Sequence, residues 1–429
     1  MIAFRNWLQK AFKTFSATDP FYTERLIAFK KLDDPTFIAS QKENYRNLRE
    51  MLALCTDQPY DVPIPSHPLL PIAVSSYGEA TQATTLTFID GIYASSDHLH
   101  PGIQLQRLAD LPPLKQQAIW SSCVADIDST NDLFLLLNTM LAQEIYLLEL
   151  ATATQVTIIL QHIVTHTAPH IVPQLILKIG QGSQVTLIEN WHNVAGSLQP
   201  FVNHFTYVFL EERAHLAYHT LYPDQPCQSS LLAHQVNNLH CHQKAHSHFT
   251  HHSFAFGATR LRIHLNVQIK GLHAHTGLYG LSTLGAKEQI AHQIQVIHSA
   301  PHSLSKQHYK SILGGASTSS FSGKIYLTPD AQQTNGYQTN NVLLLSDEAY
   351  HYTKPQLEIY ADDVKCSHGA TAGQLDETQL FYLQTRGIAA PLAKRLLLEA
   401  FGSEIIHSLS LPSLQDYLRD QLIAKLVKL

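Results

Sequence analysis

The middle of the chain is governed by alternation of apolar and polar positions. From about residue 144 to residue 370, runs such as QLILKIGQGSQVTLIEN, FTYVFLEERAHLAYHTL, LRIHLNVQIKGLHAHTGLYGL and LLLSDEAYHYTKPQLEIY repeat one plan: strand, polar or glycine turn, strand. A two-residue period is that of a pleated strand with one buried face. The corners fall at Gly182-Ser183, Glu212-Arg213, Gly271 and Asp347-Glu348 and are not consistent two-residue hairpin turns. Regular short strands fit a sandwich, a barrel or a β-helix. The corner chemistry favours a right-handed parallel β-helix, in which Leu175, Leu177, Val185, Leu187, Leu261, Ile263, Leu265, Val267 and Ile269 stack inward from coil to coil.

Helical spacing replaces alternation on both sides. Trp7, Leu8, Phe12 and Phe15 fall near one face, Asp33-Asp34-Pro35 breaks the pattern, and a second helix is predicted over 35–54 with Tyr45, Leu48, Met51 and Leu52 on its stripe. Pro59, Pro63, Pro65, Pro68 and Pro71 predict an extended connector. Residues 84–89 and 92–93 around Asp90-Gly91 read as a hairpin, Pro112-Pro113 as another connector, and 133–141 as a helix. After the strands, Asp376 and Gln379 have the spacing of an N-cap and its partner, with Gly387 as the stop. Pro391 opens a further helix with Leu392, Leu396, Leu397, Ala400 and Phe401 as its stripe and Gly402 at its end. Ser413 with Asp416 resembles a capping box ahead of Leu414, Leu418, Leu422 and Leu426, a stripe that reads as internal packing. The predicted architecture is therefore mainly β, with a mostly helical region over 1–135, a β-helix core over 136–370 and a helical domain over 371–429. The helical regions are expected to close the two open ends of the β-helix.

Composition narrows the function classes. The 429 residues suffice for a large core, and a formal net charge of −5 argues against nucleic acid as the main partner. The 27 histidines make the charge swing upward below about pH 6.5. The five cysteines, Cys55, Cys123, Cys227, Cys241 and Cys366, contain no CxxC pair and fit no disulfide framework, which points to a reducing compartment. The N-terminus lacks the continuous apolar core of a signal peptide, and the apolar segment 133–150 is interrupted by Asn138, Gln143 and Glu144, so no membrane span is expected.

Candidate chemistry centres on residues 353–388, TKPQLEIYADDVKCSHGATAGQLDETQLFYLQTRGI. Leu357, Ile359 and Ala361 alternate with Glu358 and Tyr360; Asp362-Asp363 turns the chain, and a short run to His368 follows, broken by Gly369 and Gly373. Cys366 and His368 sit two apart, so on a strand a thiol and an imidazole face the same way, two metal-ligand types on a stiff backbone. On spacing alone, a packed cysteine and a solvated histidine account for the pair more simply than a ligand role does.

The stretch KPQLEIYADDVKCSHGATAGQLDETQLFYLQTRG resembles the signature of the SufB/SufD family, most closely its SufD branch, and GKIYLTPDAQQTNGYQTNNVLLLSDEAYHYTKPQ resembles the block before it. Glu43-Asn44-Tyr45-Arg46 is similar to a degenerate form of a Trp-and-Tyr motif of that branch. The resemblance implies a β-helix and a non-catalytic, cytoplasmic scaffold of the SUF iron–sulfur cluster assembly machine. It implies a SufB-like scaffold partner, a SufC-like ABC-type ATPase docked on the C-terminal helices, and a transient iron–sulfur cluster shared with the partner subunit. It also leaves room for a flavin in the complex and a homodimer when the chain is isolated. His368 matches the ligand position of this branch, with Cys366 ranked second. Leu383 stands where SufB-like chains carry the cysteine of an FYC segment.

Other residues keep an enzyme reading open. AHQVNNLHCHQKAHSHFTHHSF holds His234, His240, His242, His246, His248, His251 and His252 beside Cys241, but in no established metal-finger spacing, so outward strand and loop positions explain it more simply. His273 and His275 form a second same-face pair expected on a strand. These residues define the alternative, a metal-dependent β-helix hydrolase or carbonic anhydrase-like enzyme, which needs three converging ligands and one open position. Asp362 and Asp363 are adjacent and point oppositely, so they do not flank one bond; Gly277, Gly280 and Gly285 have no phosphate-loop spacing.

Overall fold

Inward aliphatic residues at every second position bury their side chains only if successive strands stack in register, and that is the arrangement of the chain. The computed structural model describes residues 2–17, 19–41, 83–123, 132–142, 144–165, 169–193, 200–224, 234–257 and 260–429. In the first sheet Gln155–Val164, Gln184–Asn193, His215–Tyr222, His248–Ala255, His275–Leu284, Leu304–Leu313, Thr334–Leu344 and Val364–Gly373 lie side by side in parallel. In the second, Ile145–Leu150, Gln174–Ile179, Phe201–Leu210, His234–Gln243, Arg260–Ile269, Gln289–His298, Thr318–Leu327 and Tyr350–Ile359 do the same. The chain alternates between the sheets, which makes a parallel β-solenoid of about 7 turns. The aliphatics expected to stack inward all belong to its central apolar cluster.

One corner column sets the pitch. Ala153, Gly182, Arg213, His246, His273, His302 and Gln333 all have left-handed backbone, with φ between 55° and 68°. Each turns the chain from the second sheet into the first, and each N–H donates to a carbonyl of the following coil, from Ala153 N to Gln181 O at 2.8 Å through to Gln333 N to Asp363 O at 2.6 Å. Six of the seven are not glycine, so the inter-coil hydrogen bonds must offset the steric cost of that conformation.

The two ends differ. At the N-terminal end Thr84–Ile89 adds to the first sheet and pairs antiparallel with Ile92–Asp97 through the Asp90-Gly91 turn, as expected. Ile103–Arg107 pairs antiparallel with Ile145–Leu150 and finishes the second sheet. At the other end, Val364–Gly373 and Tyr350–Ile359 are the outermost strands of their sheets.

The sequence expectation puts helices over these ends; among the described residues the long helices cover the flanks instead. Ile2–Phe12, Tyr22–Leu32, Pro35–Ser40 and Leu133–Leu141 pack with Trp7, Leu8 and Leu137 against Ile176, Phe205 and Tyr207 on the outer face of the second sheet. Ala390–Ile406 and Pro412–Val427 pack with Leu398, Ile405, Leu414, Leu418 and Leu422 against Ile188, Leu221, Phe254, Leu281 and Ile312 on the outer face of the first. The reason is apolar area: each sheet is apolar on both faces along these stretches, so its outer face needs a cover as much as the lumen needs filling. Lys425, buried, bonds Glu288 at 2.9 Å and fixes the last helix to the coils.

Four local expectations change. Pro113 opens the helix Pro113–Cys123 rather than a connector, a position where its missing N–H costs nothing. Gly402 does not end its helix; a Cβ there would stand 2.8 Å from Leu422 Cδ2, so glycine permits close helix contact. The buried face of that helix is Ala393, Leu398, Gly402, Ile405 and Ile406, while Leu392 and Leu396 are exposed. Ser413 lies inside Pro412–Val427, whose N-cap is Leu411 without a side-chain cap bond, so no capping box forms. The helix predicted over 35–54 is described only as Pro35–Ser40; the rest of it, the proline-rich connector, Glu43 to Arg46, Cys55 and Cys227 lie outside the described residues.

Two outcomes follow from this packing. Leu418→Ala should cost about 2–5 kcal/mol by opening a cavity between the last helix and the first sheet, read as a lower urea midpoint; an unchanged midpoint would contradict the packing. Burial pushes His204, His251 and His292 down to about 3 and His219 and His298 to about 4. Each is neutral when folded and titrates near 6.5 when unfolded. Below that pH the unfolded chain binds protons that the folded chain refuses, so stability should fall by about 1.4 kcal/mol per pH unit for each histidine fully engaged. Thermal midpoints followed by circular dichroism should drop steadily from pH 7 to pH 5; a flat profile would refute the buried neutral histidines.

Candidate functional site

The last strand of the first sheet, Val364–Gly373, carries both predicted ligand positions. It continues two inward columns of the solenoid. One runs Val185, Leu216, Phe249, Thr276, Ser305, Gly336 and ends at Cys366; the other runs Leu187, Tyr218, His251, Leu278, Gln307, Gln338 and ends at His368. Both columns are largely apolar in the early coils and polar in the last, so the lumen becomes wettable as it reaches its open rim. The strand is longer than expected: Gly369 and Gly373 lie within it and do not break it, because pairing with Thr334–Leu344 holds the backbone extended through Gly373. The corner before it is tied down by Asp363 N donating to Gln332 Oε1 at 2.9 Å.

Cys366 is half-buried and packs with Leu357 and Val364 against Ile325, Leu327 and Ala331. Gly336 beneath it leaves the room: a Cβ there would stand 3.3 Å from Cys366 Sγ and 3.3 Å from Ile325 Cγ2. Burial pushes the Cys366 thiol up, against the opposing pull of the Gly336 backbone. His368 is exposed and lies one coil above Gln338, whose Nε2 donates to Gln307 Oε1 at 2.9 Å. Beside this column His351 is held by the Asn340 amide at 2.8 Å on Nε2 and by Ser319 Oγ at 2.6 Å on Nδ1, and burial lowers it to about 4. The floor of the rim is thus a bonded polar layer, and the imidazole above it is the accessible ligand type.

The surroundings are apolar and open. Tyr350, Tyr352, Ile359 and Tyr360 are exposed along or just after the outermost strand of the second sheet. Helix Glu377–Thr385 buries none of its residues, and its Phe381 and Tyr382 are 66% and 61% exposed. Asp376 caps it by accepting from Thr378 N at 2.8 Å, and Gly387 follows its end at φ 85°.

The histidines of the enzyme alternative are placed differently. His273 is not on a strand but at a left-handed corner; His275 opens the next strand. They belong to two outer ladders: His246, His273 and His302 with ring centroids 5.2 and 4.8 Å apart, and His215, His248 and His275 at 4.2 and 4.7 Å. The His-rich segment is only partly outward. His234, His251 and His252 are buried, and His252 Nε2 lies 2.9 Å from Ser408 Oγ under the C-terminal helices.

Among the described residues one group brings three metal-ligand side chains within reach of one another, and it contains none of the residues singled out from sequence: His162, Glu189 and His204. They come from three strands, so no spacing motif announces them. A signal existed, however. In Val185-Thr186-Leu187-Ile188-Glu189-Asn190-Trp191 the glutamate occupies an inward position in an apolar alternation, as His162 does after Ile158 and Leu160, and His204 after Val202.

Comparison with known proteins now bears on the rim. Residues 162–401 match the family model described as SUF system FeS cluster assembly, SufBD core domain. The chain is 33% identical over 250 residues to the iron–sulfur cluster assembly protein SufD of Escherichia coli, covering 58% of this chain and 57% of that one. It is 29% identical over 289 residues to an iron–sulfur cluster assembly SufBD family protein of Synechocystis, covering 66% and 60%, and 27% identical over 354 residues to the chloroplastic protein ABCI7 of Arabidopsis thaliana, covering 79% and 73%. The match thus spans less than two thirds of the length of the first two relatives.

The cysteine environments give a check that needs no partner. Cys366 should react with iodoacetamide more slowly in the folded chain than in the unfolded one, and Cys241, fully buried with its thiol pushed up, should stay unmodified until unfolding. Mass spectrometry of timed digests reads both; rapid labelling of Cys241 in the folded protein would contradict the packed lumen.

Proposed function

Because this chain belongs to the SufBD family of SUF-system iron–sulfur cluster assembly proteins and is most like its SufD members, we propose that it is a non-catalytic scaffold subunit whose last solenoid coil supplies His368 to a cluster assembled against a SufB-like subunit. The observation that carries this reading is the position of His368: exposed, on the outermost strand, over a fixed polar layer. The cluster is cargo here, bound in passing and handed on. One imidazole and at most one half-buried thiol fall short of the four ligands a cluster takes, so a second chain completes the set. Leu383 offers no coordinating atom of its own.

The edges of the last coil favour the same partner. Val364–Gly373 and Tyr350–Ile359 each keep one edge outside the ladder, and an unpaired edge is a template for another sheet. A β-helical partner of like architecture continues both sheets, and a second copy of this chain takes its place when the chain is isolated. Exposed Phe381, Tyr382, Leu392 and Leu396 form the surface on which a SufC-like ATPase docks. The stripe Leu414, Leu418, Leu422 and Leu426 is spent on internal packing and is not part of that surface. Cys123, Cys241 and Cys366 are free thiols, in keeping with a reducing compartment such as the cytoplasm, and no described helix is long and apolar enough to cross a membrane.

His368→Ala tests the reading. In the co-purified complex loaded anaerobically with iron and sulfide, cluster yield should fall at least tenfold while far-UV circular dichroism and partner retention stay unchanged. Wild-type yield from that variant would remove His368 as the ligand.

A further inference from the structure

We propose that His162, Glu189 and His204 bind one divalent first-row transition cation inside the early coils of the solenoid, a site separate from the rim and independent of the assembly role. The three side chains are almost fully buried, with exposures of 4%, 4% and 2%. Glu189 Oε1 lies 3.0 Å from His162 Nε2 and 3.5 Å from His204 Nδ1. Ligands bound at about 2.0–2.2 Å in a tetrahedral shell stand about 3.3–3.6 Å apart, so the His204 separation has the size of a cation's coordination edge and the His162 separation is a few tenths of an ångström short of it. Two imidazole nitrogens and one carboxylate oxygen are a donor set suited to Zn²⁺ or Fe²⁺ and poorly suited to Mg²⁺ or Ca²⁺.

Hydrogen bonding alone does not account for the group. His162 Nε2 and Glu189 Oε1 are close, yet neither makes a hydrogen bond of acceptable geometry, and both are sealed from water. Leaving buried polar atoms without partners is costly, the more so for a carboxylate. The other carboxylate oxygen is well served: Tyr218 donates to Oε2 at 3.0 Å and Thr220 at 3.3 Å. These two hydroxyls fix the carboxylate and turn Oε1 toward the imidazoles. The His162 ring is clamped between Trp191 and Phe88, with centroids 4.2 and 5.3 Å away, so its Nε2 direction is set by packing. The donors are pre-positioned by neighbours that do not themselves coordinate, which is how a built site is held.

The electrostatics agree. Burial pushes Glu189 up, while its imidazole neighbours and the Tyr218 hydroxyl pull it below the usual carboxylate range; burial lowers His204 to about 3 despite the pull of Glu189, so the imidazole offers a lone pair and leaves the carboxylate without a full counter-charge. A buried anion beside a neutral imidazole calls for a positive charge, and a divalent cation supplies it. Because His162 and Glu189 lie in the first sheet and His204 in the second, the ion would cross-link the two walls of the lumen.

The test uses the full chain, refolded from denaturant with EDTA and then given Zn²⁺, with Co²⁺ as the coloured probe. To exclude uptake by the outer histidine ladders, every measurement is repeated in a His248→Ala, His273→Ala background. The expected result is one equivalent of Zn²⁺ retained after desalting in both backgrounds, a thermal midpoint that rises on Zn²⁺ addition, and a visible Co²⁺ band. His204→Gln, folded by far-UV circular dichroism, should lose that equivalent and the Zn²⁺ response of its midpoint. The proposal is overturned if His204→Gln keeps the equivalent, if the equivalent vanishes with the outer histidines, or if the refolded chain takes up none. Should His204→Gln fail to fold, the Zn²⁺ response of the His248→Ala, His273→Ala chain decides alone.

Discussion

Each described coil satisfies its backbone N–H and C=O groups through the coil before it and the coil after it, and the last coil has no described strand beyond it. The consequence is both a liability and a tool. An open sheet edge invites association. The corner column makes that edge stiff: seven left-handed residues, each bonded to the next coil, fix the pitch up to Asp363, one residue before the final strand. The imidazole at position 368 therefore sits on a rigid lip, the condition for sharing a ligand set between two polypeptides.

The helices matter for what they leave uncovered. Both sheets are apolar outside as well as inside, so the N-terminal and C-terminal helices are needed along the flanks and are spent there. Lys425 with Glu288, and Lys310 with Glu404, pin the C-terminal pair to the middle coils. What remains near the rim is the helix Glu377–Thr385, with no buried residue, and two aromatic rings facing solvent. A helix of that length gains little from its own hydrogen bonds in water, and the apolar rings it carries contribute little to its packing while they stay exposed.

The legible part of the molecule is the part dictated by period. Alternation from Leu175 through Ile269 gives the inward stack, and the Asp90-Gly91 pair gives the hairpin, because both depend on neighbours in sequence. Cys366 and His368 could be placed on one face for the same reason. What depends on contacts between distant segments was not legible. Gly402 reads as a helix stop until Leu422 and Leu281 are seen against it. Leu392 and Leu396 read as a buried stripe until the packing turns Leu398 and Ile405 inward instead. The histidines misled in the opposite sense: their abundance suggested a surface trait, whereas His204, His251 and His292 are lumenal. His162, Glu189 and His204 meet only because coils and sheets bring three strands together, although each stands out as a polar residue at an inward position of its own strand.

The polarity of the lumen then has a physical logic along its length. In the early coils the inward columns carry Val, Leu and aromatic residues, and the polar groups present are clamped by rings and hydroxyls, as His162 is by Phe88 and Trp191. Toward the rim Thr276, Ser305 and Gln307 replace them, and the amides bond to one another across coils. An apolar lumen ending at an open rim would expose a greasy plug to water and to any passing edge. A polar one is stable when wet, yet still supports the half-buried Cys366 through Ile325 and Leu357. The gradient lets one continuous stack be dry where it must be rigid and wettable at its rim.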